Sequence, residues 1–161
     1  MLNVETGVGL EDSESYVTVA ECTAYHVKHG GPAWDAVDDK EAALRKATQY
    51  LDSVYQWRGD RVFSTQALKW PRLNVVVDGY ELPGDEIPAK LKAACCELAA
   101  KGDLFADVSA QHVTEVQVGP IKRTMSGMNN GGQVRFAAVD ALVRDLVRGG
   151  SGSSTISLVR A

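Results

Sequence analysis

The sequence predicts a mainly α fold, a small helical bundle of about four helices with a short antiparallel β-hairpin and extended N- and C-terminal arms. Three observations predict it. Four segments carry apolar residues at spacings of three and four, capping residues or glycine pairs bound these segments, and one segment alternates apolar and polar residues instead. The 161 residues fit one domain, which divides into an arm at 1–15, a helical domain at 16–148 and a flexible tail at 149–161.

The composition favours a soluble globular protein. Hydrophobic residues make up 45% of the chain, enough for a buried core, but no apolar stretch reaches the length that spans a bilayer, so we expect no membrane partner. The net charge of −4 argues against a surface that binds phosphate backbones all over, although a local basic patch remains compatible with it. Three cysteines and an N-terminus without a signal-peptide pattern predict a reduced, non-secreted protein.

Four helices are expected at about 18–29, 38–56, 88–101 and 136–148. The first two begin with the capping boxes Thr18-x-x-Glu21 and Asp38-x-x-Glu41, in which the side chains satisfy backbone N–H groups that have no partner within the helix. Pro88 suits the first position of the third helix, where its missing N–H is no loss.

The segments between these helices lack helical periodicity. Residues 1–15 are polar and predict a loose arm, and residues 126–133 have the composition of a flexible linker. A long connection is expected from Trp57 to Pro88, with one short helix around 65–68. Alternating residues on both sides of a Gly-Pro pair predict the hairpin at about 112–125.

A search for catalytic motifs finds none, so we expect no enzyme activity, no catalytic residue and no cofactor. Cys22, His26 and His29 share one face of the first helix and are types that bind zinc, but a closed site needs a fourth ligand. A half-buried cysteine beside surface histidines is the favoured interpretation, and no metal site is expected. The acidic pairs 38–39 and 85–86 lie at helix starts, where capping explains them.

The long connection interleaves aromatic and basic side chains: Trp57, Arg58 and Arg61, then Trp70 and Arg72. Such residues stack and neutralise single-stranded nucleic acid. The same composition describes tryptophans that anchor a loop to a core, with arginines over the rings. The negative net charge favours the anchoring interpretation, and nucleic-acid contact is the alternative.

The last residues join a Gly/Ser segment to an alternating, β-prone one: Thr155, Ile156, Ser157, Leu158, Val159 and Arg160. One interpretation is a frayed terminus, since chain ends are often poorly ordered. The other is a strand that completes a sheet in a partner.

Several motifs, taken in order, resemble a known family. They are Ser15-Tyr16-Val17, Ala20-Glu21, Tyr25-His26, Trp34, Ala42-Ala43-Leu44, Ala47-Thr48, Tyr50-Leu51-Asp52, Tyr55-x-Trp57-x-Gly59, Gln66-Ala67-Leu68-x-Trp70-Pro71-Arg72, Asp78-Gly79 and Ile87-Pro88. This order resembles the small head-to-tail adaptor (connector) proteins of long-tailed bacteriophages, a group often labelled DnaT-like single-stranded DNA-binding proteins. The resemblance covers roughly residues 13 to 100, and the remainder follows more loosely.

The resemblance implies a structural adaptor in a phage neck, made in the bacterial host cytoplasm and located in the virion. Such an adaptor forms a dodecameric ring on the portal protein after DNA packaging, with viral DNA passing through its channel and a downstream neck or tail-completion protein below. In similar adaptors the C-terminal segment enters the portal, which would make residues 155–160 a portal-binding tail. A single-stranded DNA-binding module is the alternative function.

Overall fold

The computed structural model describes residues 1–102, 104–105, 116–118, 121–123 and 134–149. Within these residues the chain forms a small α-rich domain with four α-helices and three pairs of short antiparallel strands. The helices are α1 (Val19–His29), α2 (Lys40–Val54), α3 (Ala89–Ala99) and α4 (Ala137–Val143), with a 3₁₀ helix at Pro32–Trp34. The strands are β1 (Asp60–Arg61), β2 (Arg72–Leu73), β3 (Val76–Val77), β4 (Tyr80–Glu81), β5 (Val116–Val118) and β6 (Ile121–Arg123).

The first two helices begin as their side-chain chemistry dictates. Thr18 caps α1 with the predicted capping box: its hydroxyl accepts from the Glu21 N–H, and the Glu21 carboxylate accepts from the Thr18 N–H. In α2 the cap is Asp39 rather than the expected Asp38, because the Asp39 carboxylate is the one that accepts from the Ala42 N–H. Helix α2 ends at Val54, two residues before the expected end.

The last helix is shorter than its pattern predicts. Helix α4 ends at Val143, and a turn follows in which the Leu146 N–H bonds to the Val143 carbonyl. Val147 then pairs with Trp57 in an antiparallel bridge. The backbone leaves the helical conformation because Val147 pairs with Trp57 of the long connection. Helical periodicity in the sequence does not encode this contact.

Helix α3 lies at the centre of the domain and packs against α1, α2 and α4. Its buried face is apolar. Four leucines of α2 and α3 are fully buried where these helices pack together: Leu44, Leu51, Leu91 and Leu98. Burying each such side chain contributes roughly 1.5–3 kcal/mol. This packing makes the domain α-rich and provides the surface on which the long connection lies.

The N-terminal arm is not loose, and that expectation is wrong. Val4 bridges Ser15, and the Glu5 side chain is fully buried. The Glu5 carboxylate accepts hydrogen bonds from the N–H groups of Gly7, Gly9 and Leu10 and from the Ser13 hydroxyl, at 2.8 to 3.2 Å. One carboxylate therefore organises a loop whose polar composition resembles that of a mobile segment.

The connection between α2 and α3 contains short strands instead of the expected helix at 65–68. Strand β1 pairs with β2, with Arg61 opposite Arg72, and β3 pairs with β4, with Val77 opposite Tyr80. Gln66 explains the absence of a helical turn: its side chain donates to the carbonyls of Leu68 and Pro71 and accepts from the Phe63 N–H. These bonds take the place of a helical hydrogen-bond pattern.

Strands β5 and β6 pair antiparallel, with Gln117 opposite Lys122, inside the range 112–125 predicted for the hairpin. The expected linker at 126–133 and the tail residues 155–160 lie outside the described residues. Among the described helices, each is too short or too polar to cross a bilayer.

Candidate nucleic-acid interface

Trp57 and Trp70, two of the residues predicted for nucleic-acid contact or loop anchoring, lie in the core. Their exposed fractions are 3% and 0%, and the rings meet edge to face with centroids 6.1 Å apart. Neither indole N–H has a hydrogen-bond partner among the described residues. Because both rings are covered by protein, neither presents a face on which a base could stack.

Tyr16 and Asp52 attach the Trp70 segment to the helices. The Tyr16 hydroxyl donates to Asp52 Oδ1 at 2.6 Å and accepts from the Trp70 N–H at 3.3 Å. Asp52 Oδ2 accepts from the Lys69 N–H at 2.9 Å. Burial raises the pKa of Asp52, although the hydrogen bonds from Tyr16 and Lys69 oppose this rise.

Arg72, although charged, is almost wholly buried under the loop. Its Nε donates to the Arg58 carbonyl and its Nη2 to the Gly59 carbonyl, both at 2.6 Å, while Nη1 reaches the Lys69 carbonyl at 3.1 Å. Gly59 allows the loop above Arg72 to pass close to the backbone of Leu73. Its φ is +67°, and a Cβ at this position would lie 2.1 Å from the Leu73 carbonyl oxygen.

Three further arginines gather around the same stretch of backbone. Arg148 donates through Nη2 to the Gly59 carbonyl at 3.3 Å, and Arg58 donates through Nε to the Val147 carbonyl at 2.9 Å. The guanidinium of Arg61 bonds to the Gln66 carbonyl. We call Arg58, Arg61, Arg72 and Arg148 the Gly59 arginine cluster.

Arg61 and Arg148 lie close enough to Arg72 to affect its charge. The pKa of Arg72 is lowered, first by burial and then by the positive charges of Arg148 and Arg61, while Asp60 opposes the shift. Arg58, Arg61 and Arg148 are exposed. The cluster is therefore a concentration of positive charge on a chain whose net charge is −4.

Two segments that bond to arginines of the cluster carry exposed aromatic rings. Phe63 is 51% exposed, and its backbone N–H bonds to Gln66, the residue whose carbonyl also binds Arg61. Tyr80 is 78% exposed on β4, which pairs with β3, and Arg58 Nη1 lies 3.5 Å from the carbonyl of Val76 in β3. Proteins that bind single-stranded DNA stack bases on exposed aromatic rings and bind the backbone with positively charged side chains.

The cysteine and histidines of α1 are used in packing. Cys22 and His26 are buried, and His26 Nε2 lies 2.9 Å from the Cys96 carbonyl oxygen, while its ring stacks on Trp34. His29 is exposed and its ring lies against Tyr25. Within the described residues, no three His, Cys, Asp or Glu side chains are arranged to hold a metal ion.

Sequence reasoning found three arginines of the cluster but missed Arg148, Phe63 and Tyr80. Arg148 lies 89 residues from Gly59 in the chain, so no local pattern joins the two. The signals for Phe63 and Tyr80 were weak, because an aromatic residue in a loop is as compatible with burial as with exposure. Their exposure depends on which aromatic rings the core contains, and the core contains Trp57 and Trp70.

A family model described as "Putative DnaT-like ssDNA binding protein" matches residues 1–161, the whole chain. No curated protein and no solved structure matches the chain.

This match corrects the function expected from the resemblance. The matched family is described by single-stranded DNA binding, so the expectation of a phage-neck adaptor, with its dodecameric ring, portal protein and tail-completion partner, is wrong, and the alternative is favoured. The structure also buries Trp57, Trp70 and Arg72 of the long connection within the domain's own fold. The expected location in a virion stays a prediction. The match over its whole length shows that the chain belongs to this DnaT-like family.

Proposed function

We propose that this protein binds single-stranded DNA, without catalysing a reaction on it, through the Gly59 arginine cluster and the rings of Phe63 and Tyr80. The observation that carries the proposal is the position of three exposed guanidiniums around one loop, two of which bond to segments that carry an exposed aromatic side chain. The description of the family agrees with it.

The arginines supply the electrostatic part of binding. Arg58, Arg61 and Arg148 are held by backbone carbonyls, so their positions are set before a ligand arrives. Their remaining N–H groups are suited to phosphate oxygens, which guanidiniums bind in pairs of hydrogen bonds. Three phosphate contacts on a single strand predict an affinity that falls roughly 20-fold between about 50 and 200 mM salt.

The rings supply a contact that does not depend on sequence, because every base has a face that stacks. Tyr80 is the better probe of this contact: it is 78% exposed, so its removal leaves the core intact. Loss of one stacking ring costs about 1–3 kcal/mol, which is roughly 5- to 150-fold in affinity.

The test measures fluorescence anisotropy of a labelled oligothymidine with the wild-type protein, Tyr80→Ala and Phe63→Ala. Val27→Ala is the matched control, since Val27 is also 78% exposed but lies on α1. We expect salt-sensitive binding that weakens in the two aromatic variants and not in the control. Binding that is absent, or equal in all four proteins, would overturn this interface.

A further inference from the structure

A concave site lies beside the Gly59 arginine cluster, between Tyr55 and the end of α4. It is a cavity of about 390 Å³ that opens widely to the surface, and its volume lies within the range of about 300–1,000 Å³ that small-molecule sites occupy. Its polar lining includes three arginines and one acid: Arg135, Arg144, Arg148 and Asp140. Val143, Val147 and Ala141 supply apolar lining.

The single acid of the lining is already bound by two donors. Asp140 Oδ1 accepts from the Tyr55 hydroxyl at 2.6 Å and from Arg135 Nη1 at 3.2 Å, and the Arg135 guanidinium lies 5.3 Å from the centre of the Tyr55 ring. Burial, followed by the contact with Asp140, raises the pKa of Tyr55 above its ordinary value, so the hydroxyl keeps its proton and remains a donor. Arg135 therefore compensates Asp140 across one wall of the cavity.

The other two arginines retain donors for a ligand. Arg144 is 80% exposed, and its nearest acid, Asp145, lies 3.9 Å away and makes a shorter 2.6 Å ion pair with Lys90. Arg148 makes one long bond, 3.3 Å, from Nη2 to the Gly59 carbonyl. Three guanidiniums and one carboxylate give the lining a net charge of +2.

We infer that this cavity binds the terminal phosphomonoester of a DNA strand, an inference that rests on the proposed function. A phosphomonoester carries a charge of about −1.5 to −2 at pH 7, which complements the cavity, whereas an internal phosphodiester carries a single charge. Arg148 belongs to the Gly59 arginine cluster and also lines the cavity. The end of a strand that is bound along the cluster therefore lies at the cavity. Arg144 and Arg148 bind the phosphate oxygens, and the apolar wall contacts the terminal nucleotide.

The test compares three oligothymidines that differ only in their ends: a 5′-phosphate, a 3′-phosphate or no phosphate. We expect one phosphorylated end to bind about tenfold tighter than the unphosphorylated strand, equivalent to about 1.4 kcal/mol. Arg144→Gln removes this preference and leaves the affinity for the unphosphorylated strand unchanged, because Arg144 lies outside the Gly59 arginine cluster. Lys28→Gln, at an exposed position of α1, is the charge control.

The outcomes separate the two proposals. Equal affinity for all three strands overturns the phosphomonoester site while the proposed function stands. If no strand binds, the proposed function fails. NMR titrations with thymidine 5′-monophosphate and with thymidine then test phosphate binding in the cavity independently of strand binding. Shifts around Val143 and Val147 that need both the phosphate and Arg144 support the site, and their absence overturns it.

Discussion

Arg72 donates a hydrogen bond of 2.6 Å from Nη2 to the main-chain carbonyl of Gly59. The two residues belong to two separate sequence motifs, and this bond joins them under the loop that carries the exposed arginines. Gly59 has a φ of +67°, and a Cβ at this position would lie 2.1 Å from the Leu73 carbonyl oxygen, so the loop keeps this path only with glycine there. The buried arginine thus acts as a support for the exposed members of the cluster.

Replacement of Gly59 by alanine is expected to destabilise the protein by roughly 3 kcal/mol or more, since the new Cβ adds a backbone clash to left-handed strain. Gly79→Ala is the matched control: Gly79 has a φ of +85° but open space around it, so we expect a cost of about 1 kcal/mol. Urea denaturation measures both variants. Equal losses of unfolding free energy would show that the approach to Leu73 is not a constraint.

Asp52 predicts a specific pH dependence of stability. Its folded-state pKa is raised, so the folded protein holds this proton more tightly than the unfolded chain does. The contribution of Asp52 is therefore most favourable at low pH and decreases as pH rises from about 3.9 through the folded pKa. Measured against Asp52→Asn by urea denaturation, the wild-type protein should lose relative stability over this window. A constant difference between the two proteins would contradict the burial effect.

The conformation of the N-terminal loop is expected to depend on the buried Glu5 side chain, which accepts four hydrogen bonds there. Glu5→Gln keeps the shape but replaces one acceptor oxygen by a donor that faces backbone N–H groups, and we expect a loss of about 1–3 kcal/mol. Glu11→Gln, at an exposed position, should cost less than about 0.5 kcal/mol. Thermal unfolding compares the two, and hydrogen exchange at Gly9 and Leu10 reports the loop directly. Unchanged exchange in Glu5→Gln would contradict the assignment.

Local chemistry accounts for the parts of the fold that the sequence predicts well. The capping box at Thr18 involves residues three positions apart, so it forms wherever the helix forms. The last helix was predicted too long for the opposite reason: the backbone of Val147 pairs with Trp57, a partner far away in the chain. The candidate site also has a part that the sequence predicts and a part that it does not. Arg58, Arg61 and Arg72 form a local pattern in the sequence, whereas Arg148 joins them only in space.

By itself, the sequence determined the α-rich class, three of the helix starts to within a residue, and the residue types that could contact nucleic acid. Short-range hydrogen bonds and helical periodicity carry this information. Only the tertiary structure decided which rings are available: the core buries Trp57 and Trp70 and leaves Phe63 and Tyr80 exposed. It also decided that Arg72 supports the loop while Arg148 joins the exposed charge. The physical reason is that burial and charge proximity depend on contacts between distant segments, and such contacts leave no periodic signature in the chain.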